Sequence, residues 1–188
     1  KLKLFKSVKD AVGTTASVIA GTTDNNTIAS IDLSKKAEKL GVDAILLTVP
    51  AYNKPTQEGL FQHFKKISES VSIPGILYNV PSRTSLNMDV DTTIKLSSID
   101  NIVGVKEASS DPDQITNIIS RANSDFKIWS GNDNETFSIM STGGHGVVSV
   151  ASNIIGNQVK KLMGYILDGQ TDLAATEHKR LLLFFNAL

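Results

Sequence analysis

Lys106 ends the apolar run Ile102-Val103-Gly104-Val105, and Tyr78 ends a matching run, Gly75-Ile76-Leu77. A lysine at the end of a buried strand sits where an ammonium is poorly solvated, so it loses its proton readily and becomes an amine nucleophile toward carbonyls. At its ordinary pKa of about 10.4 only roughly one such side chain in 2,500 would be neutral at pH 7. Bringing that pKa to about 7 disfavours the ammonium by roughly 4–5 kcal/mol, which burial and a nearby cation can supply. Arg83, in Pro81-Ser82-Arg83-Thr84, is a candidate for that cation and for a bidentate grip on a carboxylate. A phenol such as Tyr78 could carry the protons that imine chemistry moves. Tyr52 lies among Pro50, Asn53 and Pro55, so it belongs to a loop and is expected to face a site or a subunit contact. Each residue has an ordinary alternative: Lys106 paired with Glu107 or Asp133, Tyr78 as core packing, Arg83 as a surface cation.

These residues need a scaffold that brings strand ends together. Strand-like runs begin near Ser17, Asp43, Gly75, Ile102, Lys127 and Gly146, at intervals suited to repeated β-α units. Strands are expected near 17–21, 43–48, 75–79, 102–106, 127–130 and 146–150, with closing helices near 156–168 and 171–185. The runs are nearly continuously apolar (Ala44-Ile45-Leu46-Leu47, for example), as in parallel sheets covered on both faces. Gly13, Gly41 and Gly143 follow helical patterns and suit left-handed helix ends. Asp111-Pro112, Thr56-Gln57-Glu58 and Asp133-Asn134-Glu135 suit helix starts. Six such units fit either an open doubly wound sheet or most of a (β/α)8 TIM barrel, which places its functional groups at the C-terminal ends of strands. The apolar ending Leu181–Leu188 and the amphipathic start favour an incomplete barrel within one domain spanning 1–188.

Composition narrows the function classes. The chain has 188 residues, 40% hydrophobic, with 19 basic and 19 acidic side chains. Zero net charge gives no footprint for nucleic acid or an anionic membrane. Without cysteine there is no disulfide, thiolate metal site or cysteine nucleophile. No stretch reads as a membrane helix or a leader, so a cytoplasmic location is the default expectation. The three histidines show no metal-ligand spacing, and no metal is expected. His63 and His178 are expected to be solvated or capping, and His145 to lie at the bottom of a strand. Gly143–Gly146 lacks the lysine and helix of a phosphate loop.

Taken together, Tyr78-Asn79-Val80-Pro81-Ser82-Arg83-Thr84, Val105-Lys106-Glu107-Ala108 and Gly143-Gly144-His145-Gly146-Val147-Val148-Ser149-Val150 resemble the dihydrodipicolinate synthase family of pyruvate-dependent aldolases. Pro50–Leu60 and Ile19-Ala20-Gly21-Thr22 fit too, so the likeness spans the chain without gaps. It implies a (β/α)8 barrel with C-terminal helices, assembled as a homotetramer and needing no cofactor. Pyruvate would condense with Lys106, and the resulting enamine would attack aspartate semialdehyde. Tyr78 would shuttle protons, Arg83 would hold the semialdehyde carboxylate, and Tyr52 would act in a neighbouring subunit. Gly131 and Val148 would line the pyruvate pocket.

Two departures carry expectations of their own. The family's carboxylate-binding threonine pair has no counterpart here, so those residues are expected outside these 188, and the segment alone is expected to be inactive. Ala29 and Ala51 stand where lysine-inhibited members carry a glutamate and an aromatic beside the matching Asn25, so lysine feedback is not expected. A keto-sugar-acid or sialic acid lyase, and a non-catalytic truncated relative, are the competing readings.

Overall fold

The computed structural model describes residues 1–188. Strands β1 (Ile19–Gly21), β2 (Ala44–Thr48), β3 (Gly75–Asn79), β4 (Ile102–Glu107), β5 (Lys127–Ser130) and β6 (Gly146–Val147) form one sheet. Every pairing is parallel and the spatial order is the chain order. A doubly wound sheet would reverse that order midway; here it does not. Successive helices α2 (Thr27–Lys39), α3 (Gln57–Ser68), α5 (Val90–Ser97), α6 (Pro112–Arg121) and α7 (Thr136–Ser141) touch one another in turn. Right-handed crossovers of this kind put all the helices on one face, leaving the other face concave, as in part of a (β/α)8 barrel. A short α4 (Pro81–Thr84) follows β3, α1 (Leu2–Val12) precedes the sheet, and α8 (Ser152–Leu167) and α9 (Thr171–Phe185) close the chain. No helix is long and apolar enough to cross a membrane.

The register shows how the core is made. Leu47, Leu77, Val105 and Ile128 pair in one row across β2–β5 and are buried in a core that also takes Leu60, Phe64 and Ile67 of α3. Strand side chains alternate, so the neighbouring row of Thr48, Tyr78, Lys106 and Trp129 points to the concave face.

The helices start where the sequence provides caps. The Thr56 Oγ1 accepts from Gly59 N at 3.1 Å, and Asp111 Oδ1 accepts from Gln114 N at 3.0 Å ahead of Pro112. Asn26 and Asp89 cap α2 and α5 in the same way. Each of these caps follows a strand, so the helix N-termini are fixed on the face where the strands end.

Several expectations need correction. The run at 146–150 pairs as a strand only at Gly146–Val147, because Asp133 captures the N–H groups of Val150 and Ala151 and turns the chain into α8. That helix therefore begins at Ser152 rather than near 156. Asp133–Glu135 does start a helical stretch, as a 3-10 turn running directly into α7. His63 is not solvated: it is 6% exposed on the buried face of α3, its Nδ1 2.8 Å from Thr27 Oγ1. His178 stacks on Phe137 with its ring half-buried.

Gly104 is required by packing. A Cβ there would come within 2.2 Å of the Lys127 carbonyl oxygen and 2.4 Å of the Trp129 ring. Backbone cannot yield as a flexible side chain can, so Gly104→Ala is expected to destabilise by about 3 kcal/mol. A urea titration checks this, as a fall in midpoint at unchanged slope.

Candidate active site

Strand alternation separates Lys106 from its sequence neighbour. Glu107 faces the helices and Lys106 the concave side, so the two cannot pair. Lys106 is 8% exposed and belongs to none of the ion pairs in the structure. Its Nζ lies 4.0 Å from the centroid of the Tyr78 ring. Burial pulls the Lys106 amine below the ordinary lysine range, while the charge of Asp133 opposes that shift. The Tyr78 phenol moves the other way: burial raises it, and the Arg83 guanidinium partly offsets the rise. The pair is thus an amine whose charged form burial disfavours, beside a phenol whose proton burial helps retain.

The surroundings explain the burial. Trp129 pairs with Lys106 in register, and its indole lies across Gly104 and Gly146 on the flanking strands. That places a broad apolar ring beside the lysine. Gly131 abuts it from β5's end: its N donates to Glu107 O at 2.7 Å, and a Cβ there would lie 3.1 Å from Lys106 Cε. Asp133 is 9% exposed and is held by the Ser149 hydroxyl and by Val150 N (2.9 Å) and Ala151 N (3.0 Å). Its charge is committed to that loop, which leaves it a distant influence on Lys106 rather than a partner.

The other expected residues lie at different distances from the pair. Arg83 is exposed on α4, close enough for its charge to act on Tyr78, and forms no ion pair. Val148 follows β6, with its N donating to Ser130 O at 2.9 Å, two strands away from Lys106. Tyr52 is not brought to Lys106 within this chain: it is 91% exposed on the β2–α3 loop, at φ 72°. A left-handed backbone at a bulky residue is costly and needs support. Here Asn25 provides it, accepting from Ala51 N at 3.0 Å on Oδ1 and from Asn53 Nδ2 at 3.4 Å on its backbone oxygen.

Trp129 was missed by the sequence reading, although an aromatic two residues before Gly131 on an inward position carries the signal. Asn79 was placed at the end of the 75–79 strand, but its part in a buried network was missed. It is 0% exposed, and a polar amide closing an apolar strand run is the sign of a buried network.

A buried amine whose charged form is disfavoured, a phenol ring against it and an unpaired guanidinium whose charge reaches that phenol can form an imine with a ketone and hold an acidic partner. Comparisons with known proteins point the same way. A model of the dihydrodipicolinate synthetase family matches residues 1–188. The chain is 53% identical over 188 residues to 4-hydroxy-tetrahydrodipicolinate synthase 1 of Halalkalibacterium halodurans, covering 100% of this chain and 64% of that protein. It is similar to the crystal structure of a dihydrodipicolinate synthase from Bacillus anthracis, with TM-score 0.94, 46% identity and coverage of 97% and 62%. The enzyme from Cyanidioschyzon merolae, solved with lysine bound, superposes at TM-score 0.97 with 42% identity, covering 100% of this chain and 64% of that one. The chain therefore spans a little under two thirds of the length of these relatives.

Proposed function

Because the chain belongs to the dihydrodipicolinate synthetase family, we propose that it carries the Schiff-base centre of a lyase that condenses pyruvate with L-aspartate 4-semialdehyde. The observation that carries this reading is Lys106 itself: nearly buried, without an ion-pair partner, its Nζ 4.0 Å from the Tyr78 ring. The neutral Lys106 amine attacks the pyruvate ketone, and the carbinolamine loses water to give the imine. Loss of a methyl proton then gives an enamine. The enamine carbon bonds to the aldehyde carbon of the semialdehyde, whose oxygen takes a proton. The amino group of that acceptor attacks the imine, closes the ring and expels Lys106 as an amine.

Tyr78 donates to the departing hydroxyl of the carbinolamine, a role suited to a phenol whose proton is held tightly. Arg83 grips the acceptor carboxylate, and Gly131 leaves room beside the Lys106 stem where pyruvate must sit. Val148 walls the same pocket from the end of β6, beyond β5. Tyr52, exposed and conformationally fixed by Asn25, serves the site of a second copy within a homotetramer. The lysine imine supplies the electron sink, so the reaction calls for no metal or organic cofactor. Such a biosynthetic step belongs in the cytoplasm, as part of lysine and diaminopimelate formation.

The acceptor assignment is tested through Arg83. The relatives extend beyond the matched segment, so the protein is expressed with its flanking coding sequence. Arg83→Ala is expected to lower kcat/KM for the semialdehyde on the order of 100-fold, the loss of a charge-assisted grip, while pyruvate still forms its imine. Preferred turnover of keto-sugar-acid substrates, untouched by that substitution, would overturn the assignment in favour of a sugar-acid lyase.

A further inference from the structure

Glu107 stands behind the pair and the proposed mechanism does not use it. It is 0% exposed, and none of the ion pairs includes it. Only neutral groups meet its carboxyl. Ser109 N donates to Oε1 at 2.7 Å, Asn79 Nδ2 lies 3.2 Å from each oxygen, and Gln114 Nε2 reaches Oε2 at 3.4 Å. An uncompensated acid in the helix-facing layer costs stability that an apolar residue there would not. What it offers instead is direction.

The amides that meet Glu107 continue to one segment. Asn79 Nδ2 donates to Asn87 Oδ1 at 2.8 Å, and Asn87 Nδ2 donates to Gln114 Oε1 at 2.7 Å. Met88 N donates to Asn79 Oδ1 at 3.0 Å, while Met88 O accepts from Gln114 Nε2 at 3.3 Å. Asn87 and Met88 belong to residues 85–89, the strap that runs from the α4 turn, where Arg83 sits, to α5. Strap and turn are continuous through Thr84, whose Oγ1 donates to Leu86 O at 2.9 Å, and through Ser85 in the left-handed region at φ 58°. Glu107 on β4, Asn79 on β3 and Gln114 on α6 therefore hold the far end of the segment that presents Arg83.

We propose that Glu107 is a positioning residue for the acceptor half of the reaction: through Asn79 and Gln114 it fixes the 85–89 strap, and the strap sets the angle at which Arg83 faces Lys106 and Tyr78. It touches neither substrate. The inference rests on the reading of Arg83 as the grip on the acceptor carboxylate. Burial pushes the Glu107 carboxyl up, with the Ser109, Asn79 and Gln114 donors opposing. The uncharged Glu107→Gln is accordingly the conservative replacement, and Glu107→Ala the one that releases the strap.

The test measures, for the protein with its flanking coding sequence, the pyruvate adduct trapped by borohydride and the KM for each substrate. Glu107→Ala is expected to raise KM for the semialdehyde about tenfold while pyruvate KM and adduct yield stay within about twofold, because misplacement of one gripping group is felt only by the substrate it grips. Glu107→Gln is expected to restore the semialdehyde KM to within about threefold of wild type. Asn87→Ala, at an exposed position, leaves no buried hole and is expected to give the same selective rise even if Glu107→Ala does not fold. Equal rises in both KM values in Asn87→Ala, or a Glu107→Gln no better than Glu107→Ala, would overturn the proposal. Failure of the underlying reading is separate: Arg83→Ala would then leave the semialdehyde KM at the wild-type value.

Discussion

Lys106→Ala is expected to lower kcat/KM for the condensation at least about 10,000-fold, or 5–6 kcal/mol of transition-state stabilisation, because the covalent route disappears with the amine. Lys106→Arg is expected to be equally inactive. A guanidinium keeps the charge and much of the length, but it cannot lose its proton to become a nucleophile. A lysine whose contribution were electrostatic or structural would tolerate that exchange, so steady-state kinetics of the two variants separate the roles. The pH dependence follows from the direction of the shift. Burial holds the Lys106 pKa below the ordinary lysine value, and only the neutral amine attacks. The rate of adduct formation is therefore expected to rise with pH and level off before the ordinary lysine range, near 10.4, is reached.

Tyr78→Phe carries the second large effect. Its ring still covers the Lys106 amine, so the packing and the desolvation of the lysine persist, while the proton donor is lost. Turnover is expected to fall on the order of 100- to 1,000-fold, the usual worth of one well-placed general acid. Single-turnover trapping resolves the step: the pyruvate adduct should form slowly and still reach completion. Circular dichroism and urea midpoint should match wild type, since the ring remains. An adduct formed at the wild-type rate would remove Tyr78 from the proton path.

The fold was legible because parallel strands and their helices leave local signals. Ala44–Thr48 and Gly75–Tyr78 read as apolar runs, and Thr56 and Asp111 marked the starts of α3 and α6. The end of β6 was not legible. Val147-Val148-Ser149-Val150 has the residue types of a strand, and what stops it is Asp133, more than a dozen residues earlier, taking the backbone N–H groups that would otherwise continue the ladder. His63 was legible and misread: it shares a helical face with Leu60, Phe64 and Ile67, all fully buried.

The candidate site divides in the same way. That Lys106 and Tyr78 end neighbouring strands could be read from spacing. That they stand side by side depends on an irregular register, since Gly75 pairs with Ile102 but Ile76 pairs with Gly104. Without that shift Tyr78 would pair one residue earlier, and lysine and tyrosine would point to opposite faces. The pair between Lys106 and Glu107 that stood as the ordinary alternative is ruled out by strand parity, which turns the two to opposite faces. The amide network that gives Glu107 its surroundings is long-range, joining β3, β4, α6 and the 85–89 strap, and no sequence spacing announces it.

The central claim is that Lys106 forms an imine with pyruvate. The direct measurement incubates the protein, expressed with its flanking coding sequence, with pyruvate and borohydride, then maps the modified peptide by mass spectrometry. A reduced pyruvate adduct confined to Lys106 and absent from Lys106→Arg is the expected result. A folded protein that yields no adduct, or one that carries it on another lysine, would contradict the account.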